Sequence, residues 1–224
     1  APDTTYSDPG EVKIFGYKIQ NFDQRSHGVQ TMTQVLEKSL NTGAVHVAKL
    51  LGKEKQLSYI EKFGFGEKTG IDLPGEVPGK ISNLNHRRDI DFATASFGQG
   101  IAVTPLQMAL AIGAIANGGE LVNPSIVDRV VDDAGTVFRS ETVVRKRVVS
   151  RETSEKITKM LISAVRTGFE NRAGVKGYFV AGKTGTAQIP RKDGRGYSDS
   201  VIHTFIGYAP AFDPRFLVMI QLNE

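Results

Sequence analysis

The segment Ala181-Gly182-Lys183-Thr184-Gly185-Thr186-Ala187, entered from Tyr178-Phe179-Val180, groups residue types that could hold an anionic, peptide-like ligand. Aromatic and β-branched residues leading into small ones read as a strand that stays slim where something lies beside it. Gly182 and Gly185 remove side-chain bulk around Lys183, so a ligand backbone could pair along the strand edge. Lys183 supplies a fixed positive charge, and Thr184 and Thr186 supply hydroxyls. The set suits a peptide-like substrate ending in a carboxylate.

The same letters support other readings. A Gly-containing core strand with a solvated lysine is the plainest. Gly177 to Thr184 also matches the phosphate-loop pattern G-x-x-x-x-G-K-[ST]. A phosphate cradle needs a strand, then a flexible loop, then a helix. Here Tyr178 to Ala181 read as the strand itself, and Thr186-Ala187-Gln188-Ile189-Pro190 starts no helix. K-T-G is also an element of serine penicillin-recognising enzymes, beside S-x-x-K and S-D-N. Alone it is weak: a second copy, Lys68-Thr69-Gly70, sits in a turn-rich stretch and reads as a loop. Ser39-Leu40-Asn41 is the only S-x-N, at a break between two helices where side chains can project into a cleft. It equally reads as an Asn-Thr-Gly helix terminator with an incidental serine.

The elements that must position these residues follow from patterning. Residues 1–30 are turn-rich with short extended pieces. Thr31 or Thr33 can cap a helix carrying Met32, Val35 and Leu36, which Asn41 and Gly43 interrupt. A second helix resumes at Ala44 and stops at Gly52; residues 54–63 form a third. A long loop spans Gly64 to about Arg88. Thr104-Pro105 opens a helix of small residues from Leu106 to Asn117. Residues 121–149 alternate as a hairpin turning at Asp132 to Gly135. Ser150 caps an amphipathic helix with Ile157, Met160, Leu161 and Val165 inward, ending at Gly168. The strand of Lys183, a basic loop from Arg191 to Gly196, and strands Val201–Tyr208 and Phe216–Leu222 close the chain as a meander.

At 224 residues the chain can bury a substantial core. The net charge of +4 permits an anionic substrate or membrane surface without demanding either. No basic block with interleaved aromatics points to nucleic acid. With no cysteine, disulfide frameworks, thiolate catalysis and Cys-zinc sites are excluded. The four histidines are scattered without H-E-x-x-H, and no metal or other cofactor is expected. Both ends read as cut, so the chain is expected to be a piece of a larger protein.

Several blocks occur together and in order. They are Thr31-Met-Thr-Gln-Val-Leu-Glu-Lys-Ser39-Leu-Asn41-Thr-Gly, Phe63-Gly-Phe-Gly with Thr69-Gly-Ile-Asp-Leu-Pro-Gly-Glu76, and Ala95-Ser-Phe-Gly-Gln-Gly-Ile-Ala-Val-Thr-Pro-Leu-Gln-Met108. Asn117-Gly-Gly, Gly182-Lys-Thr-Gly-Thr-Ala187 and His203-Thr-Phe-Ile-Gly-Tyr-Ala-Pro210 follow. The combination closely resembles the transpeptidase domain of class B penicillin-binding proteins over essentially the whole chain, with the division-type (septal) branch the nearer match. One departure stands out. No serine has a lysine three residues on, and the nearest imitation, Thr153-Ser-Glu-Lys156, lies in an amphipathic surface helix. By the family's layout the S-x-x-K box is expected upstream of Ala1, preceded by the first strands of the sheet.

The resemblance implies an α/β (α+β) fold of the penicillin-binding-protein/β-lactamase-like transpeptidase type, an antiparallel sheet flanked by helices. Residues 1–224 would form a single incomplete transpeptidase domain with an exposed edge and apolar surface. In the parent, a serine would attack the penultimate D-Ala carbonyl of a peptidoglycan stem peptide, and the acyl-enzyme would pass to an amine of a neighbouring stem. β-Lactams would acylate the same serine. Ser39 would relay the proton, Asn41 would bond the relay lysine and the substrate amide, and Lys183 would hold the cleft's electrostatics. Thr184, Gly185 and Thr186 would bind substrate, the threonines taking the carboxylate and the Thr186 N–H forming half of the oxyanion hole. Gly98-Gln99-Gly100 is expected to shape the cleft. The parent would be anchored by an upstream N-terminal helix at the extracytoplasmic face of the bacterial membrane, beside glycosyltransferase and division-machinery partners, with no nucleic acid. The alternative is a non-catalytic penicillin-binding-like scaffold of the envelope.

Overall fold

A computed structural model describes residues 1–168, 171–191 and 196–223, Asp199 by its backbone alone. Lys192 to Arg195, the middle of the expected basic loop, lie outside the described residues, as does Glu224.

The N-terminal third builds the support for Ser39. Strand β1 (Thr5–Asp8) pairs antiparallel with β4 (Gly28–Thr31), and between them β2 (Glu11–Ile14) and β3 (Tyr17–Gln20) form a hairpin. The extended pieces expected there are therefore four short strands. Thr31 caps helix α1 (Met32–Glu37): its side chain accepts from the Gln34 N–H, and the Gln34 side chain accepts from the Thr31 N–H. Helix α2 (Asn41–Leu51) starts at Asn41, three residues earlier than the sequence suggested. Gly43 is inside it and buried, because a Cβ there would lie 2.7 Å from both Val35 γ-carbons and 2.9 Å from the Tyr6 hydroxyl. That glycine serves close packing of α1 on α2, not chain termination. Gly52, at φ +82°, ends α2 as expected. Helix α3 (Lys53–Lys62) follows.

The long loop is largely irregular, with a short 3₁₀ turn at Ser82–His86. Its second K-T-G is indeed a loop: the Glu76 carboxylate accepts from the Thr69 N–H and hydroxyl and from the Gly70 N–H. Buried Gln107 closes the loop from the other side, its Nε2 donating to the Glu67 and Pro78 carbonyls at 2.8 and 2.9 Å. Helix α4 (Asp89–Ala95) precedes α5 (Pro105–Ala116), whose start is a second capping box at Thr104 and Gln107. Strand β5 (Glu120–Val122) pairs with β8 (Val144–Arg147) around a nested hairpin, β6 (Arg129–Val131) with β7 (Val137–Arg139).

Helix α6 (Arg151–Ser163) runs into one π-type turn at Ala164–Gly168. Strands β9 (Ala181–Pro190), β10 (Tyr197–Ala209) and β11 (Phe216–Asn223) form the expected antiparallel meander, in the order β11-β10-β9. Leu161 and Ile162 of α6 bury against Ala181, Tyr208 and Ala211, with Ile112 of α5 and Leu217 of β11 around them. The Tyr208 hydroxyl is satisfied inside this core by Thr158 Oγ1 at 2.7 Å. On the other face of β11, Phe216, Val218, Ile220 and Leu222 stand open, each more than half exposed.

One boundary departs from expectation. The strand begins at Ala181, not in the aromatic run before it. Gly177, at φ +87°, turns the chain there, and Tyr178 donates its N–H back to Val175. Phe179 packs edge-on against Phe212 at 5.4 Å and under the Arg166 guanidinium at 4.5 Å. The aromatics clamp the entry to the strand rather than extending it.

Candidate active site

Strand β9 is one of the two edges of its sheet among the described residues. Alternation places Thr184 and Thr186 on one face and Lys183 and Gly185 on the other. At an edge, both sets reach the space beside the strand, as do alternate backbone N–H and C=O groups. Two glycines keep the strand thin. A Cβ on Gly182 would lie 2.8 Å from Phe205 Cζ, and one on Gly185 would lie 2.5 Å from Thr204 Oγ1.

The opposing wall is the α1–α2 turn. Ser39 occupies it at φ +53°, a left-handed conformation sparsely used by non-glycine residues. Asn41 opens α2, and its Nδ2 donates to the Gln20 carbonyl at 2.8 Å, which orients the side-chain amide. Between the walls lies a cleft of about 260 Å³ lined by Ser39, Asn41, Lys183, Thr184, Gly185 and Thr186. All six residues singled out in the sequence thus come together. Lys183 spans the gap, its Nζ donating to Ser39 Oγ at 3.1 Å and to the Thr184 carbonyl at 3.0 Å. Burial pushes the Lys183 ammonium below its usual range.

Other lining residues escaped the sequence reading. Phe205 faces Thr184 across the β9–β10 register, and Phe22, Glu37, Val165 and Gly168 are among the other residues that line the cleft. Phe205 was accessible from strand alternation; the π-type turn carrying Gly168 left no sequence signal. His203 lies opposite Thr186, with Nδ1 3.2 Å from the Thr186 hydroxyl. Gly98 to Gly100 do not line the cleft; they form the turn after α4, where Gly98 and Gln99 bond back to Ala95 and Thr94. The phosphate-loop reading falls with the strand assignment, because Lys183 lies inside β9 and the next described element is strand β10. Thr153 to Lys156 form part of α6, where Ser154 is buried on the Ile115 carbonyl and Lys156 pairs with Glu152.

An edge strand bearing K-T-G, facing a serine and an asparagine at a helix break, is the cleft expected from the blocks above. The family model for the penicillin binding protein transpeptidase domain matches residues 1–224. The chain belongs to this family. It is similar to the stage V sporulation protein D of Bacillus subtilis (strain 168), 41% identical over 221 residues, covering 98% of this chain and 34% of that one. It is also similar to the peptidoglycan D,D-transpeptidase FtsI of Buchnera aphidicola, 32% identical over 204 residues, covering 90% and 34%. Among solved structures it resembles penicillin binding protein 3 from Mycobacterium tuberculosis complexed with aztreonam. That likeness has a TM-score of 0.92 at 34% identity, over 100% of this chain and 52% of that one. The mixed helix-and-sheet architecture is therefore that of penicillin-binding transpeptidase domains. The chain spans about a third of the length of the curated relatives it matches. Among the described residues no helix is long and apolar enough to cross a membrane.

Proposed function

We propose that these 224 residues form the cleft-bearing part of a serine D,D-transpeptidase domain that cross-links peptidoglycan stem peptides and is acylated by β-lactams. The observation that carries the reading is the Lys183–Ser39 contact across a cleft walled by a free strand edge. A stem peptide adds along β9 as an extra strand, and its terminal carboxylate takes the Thr184 and Thr186 hydroxyls beside the Lys183 charge. The nucleophilic serine comes from outside these residues, since none of their serines has a lysine three positions on. It attacks the penultimate D-Ala carbonyl, and the developing oxyanion is held in part by the Thr186 N–H. The proton given up by the attacking serine reaches the departing D-Ala amine through Ser39, while the Lys183 charge beside it holds the electrostatics of the cleft. Asn41 aligns the substrate amide. An amine of a neighbouring stem then takes the acyl group and completes the cross-link.

The parent protein acts on the outer face of the cytoplasmic membrane, held by an N-terminal helix, alongside a glycosyltransferase and the division machinery. The missing S-x-x-K favours one other reading, a nucleophile-free envelope scaffold of the same fold.

Intact-mass analysis after incubation with a reactive penicillin separates the two. The 224-residue chain remains unmodified, whereas the gene's full-length product gains one adduct on a serine upstream of Ala1. An unmodified full-length protein establishes the scaffold. An adduct on the 224-residue chain overturns the assignment of roles, with Ser39 the first residue to map.

A further inference from the structure

The turn that carries Ser39 and Asn41 is held from behind by a buried carboxylate. Asp8, at the end of β1, is 1% exposed. Its oxygens accept from Thr42 Oγ1 at 2.5 Å, Asn21 Nδ2 at 2.9 Å, and the N–H groups of His27 and Gly10 at 2.9 and 3.2 Å. Burial alone would raise the Asp8 pKa. The bonds from Thr42, Gly10, Asn21 and His27 together outweigh it and hold the carboxyl below its usual range.

Two of these partners, Thr42 and Asn21, lead toward the cleft. Thr42, also 1% exposed, follows Asn41 in the first turn of α2. Its N–H donates to Asn21 Oδ1 at 3.3 Å, and its hydroxyl meets the Tyr6 hydroxyl at 3.3 Å. Asn21 follows Gln20, whose carbonyl takes the Asn41 side chain. The ends of β1 and β3 and the start of α2 are thus tied at one anionic point, and Ser39 lies on the free side of that knot. A left-handed serine persists only where its surroundings over-determine it.

We propose that Asp8, acting through Thr42, is the positioning residue for the Ser39–Asn41 turn, fixing the Asn41 side chain and keeping Ser39 Oγ within reach of Lys183. For turnover this rests on the relay reading of Ser39, Asn41 and Lys183; the geometric part does not.

The test uses the full-length protein with Thr42→Val and Thr42→Ser. Acylation by a fluorescent penicillin is resolved into a saturating rate and a half-saturating concentration, and Lys183 is titrated by NMR. Valine keeps the shape of threonine and removes the tie to Asp8. The saturating rate falls about 10- to 100-fold, as for a catalytic group displaced by about an ångström. The half-saturating concentration stays within about twofold, because Thr184 and Thr186 are untouched. The Lys183 titration moves up as the turn loosens and water enters, and Thr42→Ser restores both readouts. If Thr42→Val does not fold, Asp8→Asn, equal in volume but uncharged, carries the same comparison. A folded variant with the parent's acylation rate and Lys183 titration overturns the proposal, however much stability it loses. If the parent is not acylated at all, the transpeptidase reading fails, and the Lys183 titration still decides whether Asp8 and Thr42 position the turn.

Discussion

Lys183 Nζ donates to Ser39 Oγ at 3.1 Å, although 144 positions separate the two residues. The bond joins an edge strand to a helix break that share no local sequence, and it makes the cleft one site. Its lysine end is half-buried and its serine end is in a strained backbone conformation, so both partners are set by what packs around them.

Lys183 titrates below 10.5, its ordinary value, because burial disfavours the ammonium. A lysine pKa lowered in the folded state means the unfolded chain binds more protons between the native pKa and 10.5. Stability therefore rises with pH through that window, and Lys183→Met flattens the rise. NMR titration of labelled lysine, with urea unfolding across alkaline pH, measures both; a native titration at or above 10.5 contradicts the burial.

Gly168→Ala destabilises the domain by about 1–3 kcal/mol or more, the usual cost of overpacking. A Cβ at Gly168 would lie 2.1 Å from the Glu37 carbonyl oxygen and 2.8 Å from its carbon. Both are backbone atoms of α1, so relief requires moving the helix that leads into Ser39. Urea denaturation of wild type and variant gives the difference, and an unchanged midpoint would mean that the π-type turn and α1 are not in contact.

Gln107→Leu preserves volume but strands the Glu67 and Pro78 carbonyls, which the Gln107 amide now serves. Both bonds are part-buried, so each one lost costs about 0.5–1.5 kcal/mol. The loop from Gly64 to Lys80 also becomes easier to cleave, so limited proteolysis is read alongside denaturation. Wild-type protease resistance in the variant would show that the loop is held by other contacts.

Much of this was legible in local chemistry. Thr31, Thr104 and Ser150 are all N-caps, because hydroxyls before an apolar-periodic run satisfy the first free N–H groups. The meander followed from three alternating runs joined by turns. The errors have equally physical causes. Gly43 looked like a helix breaker, yet it is in α2 because α1 leaves no room for a side chain. Tyr178-Phe179-Val180 looked like strand, since β propensity does not distinguish a ladder from a surface aromatic clamp.

The sequence by itself determined the chemistry on offer: a lysine between glycines, hydroxyls alternating beside it, and one serine-x-asparagine. Residue type and short-range spacing carry that information. Only the tertiary structure decided that Lys183 meets Ser39 and that Asp8 lies behind Asn41. Those relations depend on how distant segments pack, and on which buried polar groups must find partners once water is excluded.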